Sequence, residues 1–401
     1  MSRRTRRDRR EQDDREVIPQ RAEELTAEWF TQILATGATV AEVRCEEIGA
    51  GVGFLGEVHR CHLTWEPLAG GDAAAAALPA SVIVKTPTQI PENFAVGDAL
   101  RSYEREIVVY QKLRTTLGVP MPGYYHGAMD PDPAPWMQRP LFFLFDHLSV
   151  RGINWVIAQF LKLSGKSKRR YVLVIEDFAD AHPPTQMLGG SLDDARRSLE
   201  VLARFHAANW MRSDATDQYR HIFPVDTVPR VGQASYVRNR DEFVERFGSV
   251  LRDGMLERLD AIQERVPEIC SSLAAEPWTL LHGDYRLDNV LFRPNGEIVV
   301  LDFQGLSSGR PAVDVAYFIT TALTAEHRDE EERLLRSYHE ALVAAGVSAY
   351  SFDELVRDGE IAKELLAHQL VGSADVLDTS VAADGDAFLD VIQLRVLDWL
   401  N

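Results

Sequence analysis

A short polar segment between apolar runs constrains this chain more than any other feature. It reads His282-Gly-Asp284-Tyr-Arg286-Leu-Asp-Asn289 and leads directly into the apolar residues 290–292. The Asp284 carboxylate can accept the proton of an attacking hydroxyl, and the Asn289 amide oxygen suits Mg²⁺, which prefers oxygen ligands. Arg286 can reach the oxygens of a phosphoryl group in transfer. The spacing therefore predicts a phosphoryl-transfer site.

A second acidic residue ends an apolar run downstream. Residues 299–301 are apolar and precede Asp302, which lies 18 residues after Asp284. Packing alone rarely places an acid at the end of a buried strand, whereas a second Mg²⁺ ligand explains it. An aspartate that caps a turn is the alternative. Asn289 and Asp302 are thus the predicted metal ligands.

Two patterns nearer the N-terminus point to phosphate groups. Gly51, Gly53 and Gly56 fit G-x-G-x-x-G-x-V between strand-like segments, where glycines let backbone N–H groups approach phosphate oxygens. Lys85 ends the apolar run 82–84 and is predicted to contact the nucleotide phosphates. The structural alternatives are ordinary turn glycines and a surface charge at the end of a strand.

A carboxylate on the following helix should hold this lysine. A single helix is predicted over residues 94–114, with Tyr103 and Ile107 on its apolar face. Glu104 and Glu106 are the candidates, and two residues apart they cannot share a face. Glu106 is preferred because it adjoins the apolar face, and pairing with an arginine of the same helix is the alternative for either.

Composition excludes several classes of protein. The chain has 401 residues, a length that predicts two domains or lobes. Its hydrophobic fraction of 45% is typical of a globular protein. A net charge of −18 does not suit general binding of nucleic acid, and no apolar stretch is long enough to span a membrane. Cys45, Cys61 and Cys270 form no C-x-x-C pair, so no disulfide framework is expected. A soluble cytoplasmic protein is predicted.

The chain is predicted to divide into three parts. Residues 1–20 form an arginine-rich, disordered tail in which acids interleave. Residues 21–180 form a strand-rich nucleotide-binding lobe with an insertion at 129–170, interpreted as a packed helical element or as a lid or membrane-surface contact. Residues 181–401 form a mostly helical lobe for catalysis and acceptor binding.

The motifs, taken together, resemble a known superfamily of small-molecule kinases. They are GVGFLGEV (51–58), VIVK (82–85), HGDYRLDN (282–289) and LDFQ (301–304). This set is similar to the aminoglycoside phosphotransferase and choline-kinase-like superfamily, and VLVIEDF and LDFQGLSSGRPAVDVAYFI are most similar to its ecdysteroid-kinase-like branch. The resemblance implies an α+β, bilobal protein-kinase-like fold, with a β-rich N-lobe carrying one main helix and a mostly helical C-lobe.

The resemblance also implies roles in the use of ATP and Mg²⁺. Asp284 would be the catalytic base, and Asn289 and Asp302 would hold Mg²⁺. Lys85 and Glu106 would position the phosphates of ATP.

Further implied roles concern the hinge and the support of the site. The Glu176 carbonyl and the Phe178 N–H would face adenine. Asp314 would brace the catalytic loop. His206 matches a recurrent histidine of the family, for which a hydrogen-bonded core residue is the preferred interpretation.

The predicted function is ATP- and Mg²⁺-dependent phosphorylation of a hydroxyl group on a small molecule. Only 12 residues separate Asp302 from Asp314, too few for the peptide-docking segment of a protein kinase. A nucleotide-binding pseudokinase module is the alternative from another class, although neither the base nor a metal ligand is missing.

The acceptor has two candidate classes. The apolar, aromatic segment 141–163 and the ecdysteroid-kinase-like motifs favour a bulky lipophilic, sterol-like alcohol. The acidic C-terminal half would suit a polycationic aminoglycoside, so an antibiotic kinase is the alternative. The partners predicted are therefore a small-molecule alcohol, with no nucleic acid and no membrane span, and the oligomeric state is left open.

Overall fold

The computed structural model describes residues 17–48, 55–67, 78–132, 138–164, 167–182, 186–212, 222–373 and 385–400. Most of the predicted tail, and the glycines Gly51 and Gly53, lie outside these ranges. Within them, Ile18 is buried and the Gln20 side chain donates to the Tyr171 carbonyl. The packed chain thus already includes residues 17–20, because Ile18 contributes apolar surface to the core beside the sheet.

An antiparallel sheet forms the N-terminal part. Its five strands are β1 (Val40–Ile48), β2 (Gly56–Trp65), β3 (Ser81–Pro87), β4 (Tyr124–Met129) and β5 (Tyr171–Glu176). Their order is β1-β2-β3-β5-β4. Val82 and Val84 face the core formed with helix α1 (Ala27–Leu34). Because side chains alternate along a strand, Lys85 faces the opposite side of the sheet.

A disulfide joins the first two strands. Cys45 of β1 and Cys61 of β2 are directly paired across the hairpin and are bonded through sulfur. This differs from the sequence expectation, which pairs no cysteines, because the strand register and not the cysteine spacing brings them together. Cys270 is free and buried.

The helix predicted over residues 94–114 is broken. Helix α2 (Pro91–Ala99) and helix α3 (Ser102–Val108) flank Arg101, which has a left-handed backbone with φ 57°. A π-helical turn, Val109–Leu113, continues α3. Arg169 pairs with Asp98 of α2 at 3.2 Å and with Glu104 of α3 at 3.1 Å. These ion pairs hold the corner, and the periodicity of the apolar residues does not reveal it.

The segment 129–170 contains two helices, α4 (Gln138–His147) and α5 (Val150–Ser164). Both pack on helix α7 (Pro229–Phe247), where Phe145, Ile153 and Ala234 form a small apolar cluster. The Asn154 amide nitrogen donates to the Ala234 carbonyl at 3.0 Å. Part of the apolar surface of this segment is therefore buried against the C-terminal part of the chain.

The C-terminal part is mainly helical. Besides α7 its helices are α6 (Leu192–Ala208), α8 (Met255–Ala274), α9 (Ala312–Ala322), α10 (Glu331–Ala344), α11 (Phe352–Gly372) and α12 (Gly385–Leu400). Two short antiparallel sheets pair β6 (Thr279–Leu281) with β9 (Ser307–Gly309) and β7 (Val290–Phe292) with β8 (Ile298–Val300). No helix of the described ranges is long and apolar enough to cross a bilayer.

Helix α9 lies between two apolar cores. Val315 and Phe318 belong to the core that reaches the sheet, and Ala316 belongs to the core of α7, α8 and α11. Helix α6 is capped by Ser191, whose side chain accepts the Asp194 N–H. A buried central helix gives the polar loops around it a rigid support.

Two glycines bring the polar loops into contact. Gly283 has φ +79°, and a Cβ atom at this position would lie 2.1 Å from the Gly305 carbonyl oxygen. Residues 282–289 (the 282–289 loop) and the turn after Asp302 therefore pack backbone to backbone. Only a residue without a side chain fits Gly283.

We predict that Gly283→Ala destabilises the protein strongly. The left-handed backbone opposes any side chain, and the new methyl group would also overlap the Gly305 carbonyl. Gly254→Ala is a matched control, because Gly254 has φ +80° but nothing within 4 Å of its Cβ position. Urea unfolding should show a loss of about 1 kcal/mol for the control and at least about 2 kcal/mol more for Gly283→Ala. Equal losses would contradict the close contact.

Candidate active site

Lys85 and Glu106 form an ion pair on the inner side of the sheet. Lys85 Nζ lies 2.6 Å from Glu106 Oε1. Glu104, the other candidate, pairs with Arg101 at 2.8 Å and with Arg169, so it belongs to the corner between α2 and α3. The break at Arg101 turns α3 so that Glu106, beside the apolar face, reaches the lysine.

Asp302 also faces Lys85. Its Oδ1 atom lies 3.8 Å from Lys85 Nζ, and its backbone is left-handed with φ 61°. Burial alone would lower the pKa of Lys85, but the carboxylates of Asp302 and Glu106 raise it above its ordinary value. The ammonium therefore stays charged at neutral pH.

Asp284 is surrounded by hydrogen-bond donors. Its Oδ2 atom accepts from Asn289 Nδ2 at 2.9 Å and from Arg286 Nε at 3.3 Å, and its Oδ1 atom accepts from the Tyr317 hydroxyl at 2.7 Å. Arg286 also donates to Asp288 at 2.6 Å. Burial opposes the charge of Arg286, but Asp284 and Asp288 hold its pKa above the usual value.

A buried carboxylate fixes the 282–289 loop from behind. Asp314 of α9 accepts the N–H groups of His282 at 2.6 Å and Gly283 at 3.0 Å. His206 Nε2 lies 3.2 Å from the same carboxylate, and its Nδ1 meets the Tyr338 hydroxyl at 2.7 Å. Burial lowers the pKa of His206, so it is a neutral, hydrogen-bonded core histidine.

The chain segment after β5 closes one end of the site. The Glu176 carboxylate accepts the Gly123 N–H at 2.9 Å, while Asp177 turns toward the sheet and pairs with Arg60 at 2.8 Å. The guanidinium of Arg293 lies over the Phe178 ring, with its Cζ atom 4.7 Å from the ring centroid. These contacts fix the backbone that connects the sheet to the helical part.

Many of these groups border one cavity of about 820 Å³. The sequence-predicted site residues that line it are Gly56, Lys85, Glu106, Glu176, Phe178, Asp284, Arg286, Asn289 and Asp302. Gly51 and Gly53 lie outside the described residues. A cavity of this size is in the range of sites for drug-sized ligands and cofactors.

The oxygen atoms in this cavity fit a magnesium ion that is shared with phosphates. The Asn289 amide nitrogen donates to the Asp284 carbonyl and carboxylate, which leaves its amide oxygen for another partner. Within the described ranges, no three His, Cys, Asp or Glu side chains are grouped closely enough to hold a metal by themselves. Mg²⁺ typically takes few protein ligands and completes its shell with water and phosphate oxygens.

Two residues close to the centre of the candidate site were not assigned a role from the sequence. Tyr317 lies three residues after Asp314, on the same face of α9, and that spacing could have indicated it. Gln304 donates to Glu106 Oε2 at 3.2 Å, and its carbonyl accepts from Arg105. Gln304 thereby links the turn after Asp302 to helix α3.

Comparison with solved structures gives the fold. Choline kinase from Cryptosporidium parvum Iowa II is 10% identical, with 89% of this chain and 88% of that chain covered and a TM-score of 0.50. Ethanolamine kinase from Plasmodium vivax is 8% identical over 88% and 82% of the two chains, with a TM-score of 0.48. Macrolide 2'-phosphotransferase from Brachybacterium faecium is 15% identical over 91% and 96%, with a TM-score of 0.47. The likeness to the choline kinase confirms the predicted α+β, bilobal kinase-like fold.

Comparison of sequences gives the family resemblance. No curated protein matches the chain. The sequence model of the ecdysteroid kinase-like family matches residues 151–347, which include the 282–289 loop, Asp302 and Asp314. The match confirms the resemblance to the ecdysteroid kinase-like family that the motifs indicate.

Proposed function

We propose that this protein is a small-molecule kinase that transfers the γ-phosphoryl group of ATP to a hydroxyl group with the help of Mg²⁺. One observation carries the proposal: Lys85, Asp284, Asn289 and Asp302 border the same cavity although up to 217 residues separate them. Phosphoryl transfer needs mainly positioning and compensation of charge, and this set supplies both. The family resemblance supports the same reaction class.

Lys85 and the glycines would bind the phosphates. The Lys85 ammonium keeps its charge because two carboxylates face it, and Glu106 fixes its direction at 2.6 Å. Backbone N–H groups around Gly51, Gly53 and Gly56 would approach the phosphate oxygens. The Glu176 carbonyl and the Phe178 N–H would bind adenine at the other end of the cavity.

Asn289 and Asp302 would hold the metal ion. Both border the cavity, and Asp302 is 30% exposed, so its carboxylate can reach a ligand there. When bound, Mg²⁺ would neutralise charge on the phosphates.

Asp284 would accept the proton of the acceptor hydroxyl. Its side chain is 34% exposed and borders the cavity, which gives an acceptor access to it. Arg286 is held beside it by Asp284 and Asp288, and would place positive charge near the transferring group.

The acceptor we propose is a bulky lipophilic alcohol, such as a sterol-like molecule. Phe142 of α4 packs edge-on against Phe223, with ring centroids 5.4 Å apart. The Phe223 carbonyl accepts the Ser308 N–H, so this aromatic pair lies beside the segment that follows Asp302. Helix α4 thus supplies an aromatic side chain close to the segment that follows Asp302.

The charges of the acidic C-terminal half give only weak support for a polycationic acceptor. In the run 329–332, Glu330 pairs with Arg333 at 3.3 Å, and Glu332 pairs with Arg336 on α10. Glu331 pairs with Lys363 at 2.9 Å. These carboxylates are neutralised by neighbouring cations on helix surfaces, which leaves less negative charge for an aminoglycoside.

We predict that Asp284→Ala lowers turnover by orders of magnitude but retains nucleotide binding. Loss of a general base lowers the rate by about 10²–10⁴-fold, whereas the proposed phosphate and metal ligands remain. Release of ADP and calorimetric titration with Mg·ATP would measure the two effects. Asp241→Ala, at a side chain that is fully exposed beside Arg240, is the matched control and should keep full activity. Undiminished turnover by Asp284→Ala would contradict the assignment of the base.

We predict that Asp302→Asn weakens ATP binding only when Mg²⁺ is present. Asparagine tolerates the left-handed backbone at this position but lacks the charge. We expect at least about a tenfold loss of affinity for Mg·ATP, since even residues that only support metal ligands contribute that much. Calorimetry with ATP and EDTA serves as the control. An unchanged affinity for Mg·ATP would argue against a metal ligand at Asp302.

A screen for ADP release would identify the acceptor. Lipophilic alcohols, aminoglycosides, macrolides and amino alcohols would each be incubated with enzyme and Mg·ATP. We expect turnover with a lipophilic alcohol. Turnover only with an aminoglycoside or a macrolide would replace the proposed acceptor by an antibiotic. Tight ATP binding with no turnover on any compound would favour a nucleotide-binding module.

A further inference from the structure

The two oxygen atoms of the Asp284 carboxylate have different surroundings. Oδ2 accepts two hydrogen bonds, from Asn289 Nδ2 at 2.9 Å and from Arg286 Nε at 3.3 Å. Within the described ranges Oδ1 accepts one, from the Tyr317 hydroxyl at 2.7 Å. Each carboxylate oxygen has two lone pairs that can accept hydrogen bonds. Both lone pairs of Oδ2 are used by these two donors, whereas Oδ1 keeps one lone pair for another donor.

Tyr317 is well placed to hold this carboxylate. It lies on α9, the helix whose Asp314 accepts the backbone N–H groups of His282 and Gly283. The same buried helix therefore holds both the backbone of the 282–289 loop and the side chain of Asp284. Tyr317 does not line the nucleotide cavity, so its hydroxyl approaches the carboxylate from the side of the helical core.

The hydroxyl of Tyr317 acts as a donor. Burial, and next the negative charge of Asp284, raise the pKa of Tyr317 well above its usual value. The phenol therefore keeps its proton at neutral pH. A neutral phenol beside a carboxylate gives a strong, directional hydrogen bond.

We infer that Tyr317 is a positioning residue for Asp284, and that Oδ1 of Asp284 is the atom that receives the proton of the acceptor. This inference rests on the proposed function. In the step, the O–H bond of the acceptor breaks and its proton goes to Oδ1. The acceptor oxygen bonds to the γ-phosphorus while the bond from this phosphorus to the β,γ-bridging oxygen breaks, and ADP leaves.

Without the phenol, the carboxylate would be held at one oxygen only. Asn289 and Arg286 both bind Oδ2, so the group could pivot about that atom and move Oδ1 away from the acceptor. A displacement of this kind slows proton transfer but leaves the phosphate and metal ligands in place. The expected effect is therefore on kcat and not on the binding of ATP.

The test compares Tyr317→Phe with the unaltered enzyme. Release of ADP from Mg·ATP is measured with water as acceptor and with any acceptor found by the screen. We expect kcat to fall about 10- to 100-fold, the range for loss of a hydrogen bond to a charged group, and KM for ATP to stay within twofold. Tyr236→Phe is the matched control, since the Tyr236 hydroxyl donates to Asp260 at 2.8 Å, between α7 and α8. It should keep kcat.

A double variant separates positioning from a merely structural role. If Tyr317 acts through Asp284, then Tyr317→Phe should cause no further loss of kcat in the background of Asp284→Asn. A further loss of kcat in the Asp284→Asn background would overturn the inference. In Tyr317→Phe alone, a rise in the KM for ATP as large as the fall in kcat would also overturn it. So would an unchanged kcat for Tyr317→Phe when Asp284→Asn alone is inactive, and in that case the proposed function would stand. If Asp284→Asn itself keeps full activity, the base assignment fails and the inference fails with it.

Discussion

The buried carboxylate of Asp314 is the interaction on which the site depends. It is 1% exposed, and a carboxylate so deeply buried is tolerated only when hydrogen bonds compensate its lost hydration. The N–H groups of His282 and Gly283 and the Nε2 atom of His206 provide these bonds. The Tyr338 hydroxyl can donate to Nδ1 of His206, which assigns the imidazole proton to Nε2. Helices α6, α9 and α10 therefore meet at one polar centre that sets the path of the 282–289 loop.

A second series of contacts connects this loop to the sheet. Gly283 packs against Gly305, and Gln304 donates to the Glu106 carboxylate, whose other oxygen holds Lys85. Arg105 donates to the Gln304 carbonyl from the same helix, α3. The lysine of the sheet, the helix beside it and the turn after Asp302 are thus held by shared partners. Movement of one of these elements would disturb the others, so the cavity has a defined shape.

The sequence predicts much of the secondary structure because local patterns are strong there. The strand-like segments on either side of Gly51, Gly53 and Gly56 correspond to β1 and β2, and the apolar run before Lys85 corresponds to β3. Strand β4 was not predicted, since it lies at the edge of the sheet and carries Gly127 within a polar and aromatic run. The break at Arg101 and the disulfide between Cys45 and Cys61 arise from contacts with distant residues, which no local pattern contains.

In the candidate site, too, the sequence and the tertiary structure determine different features. The sequence by itself determined which chemical groups are present and in which order, because the proposed base, metal ligands and phosphate-binding lysine each need a particular residue type near a strand or turn. It also favoured Glu106, because an acid beside the apolar face of a helix points toward the protein. Only the tertiary structure decided which atoms meet: that Asp314 carries the loop, that Gln304 reaches Glu106, and that Tyr317 holds one oxygen of Asp284. Hydrogen bonds act over about 3 Å, and the packing of helices and sheet alone fixes positions to that accuracy.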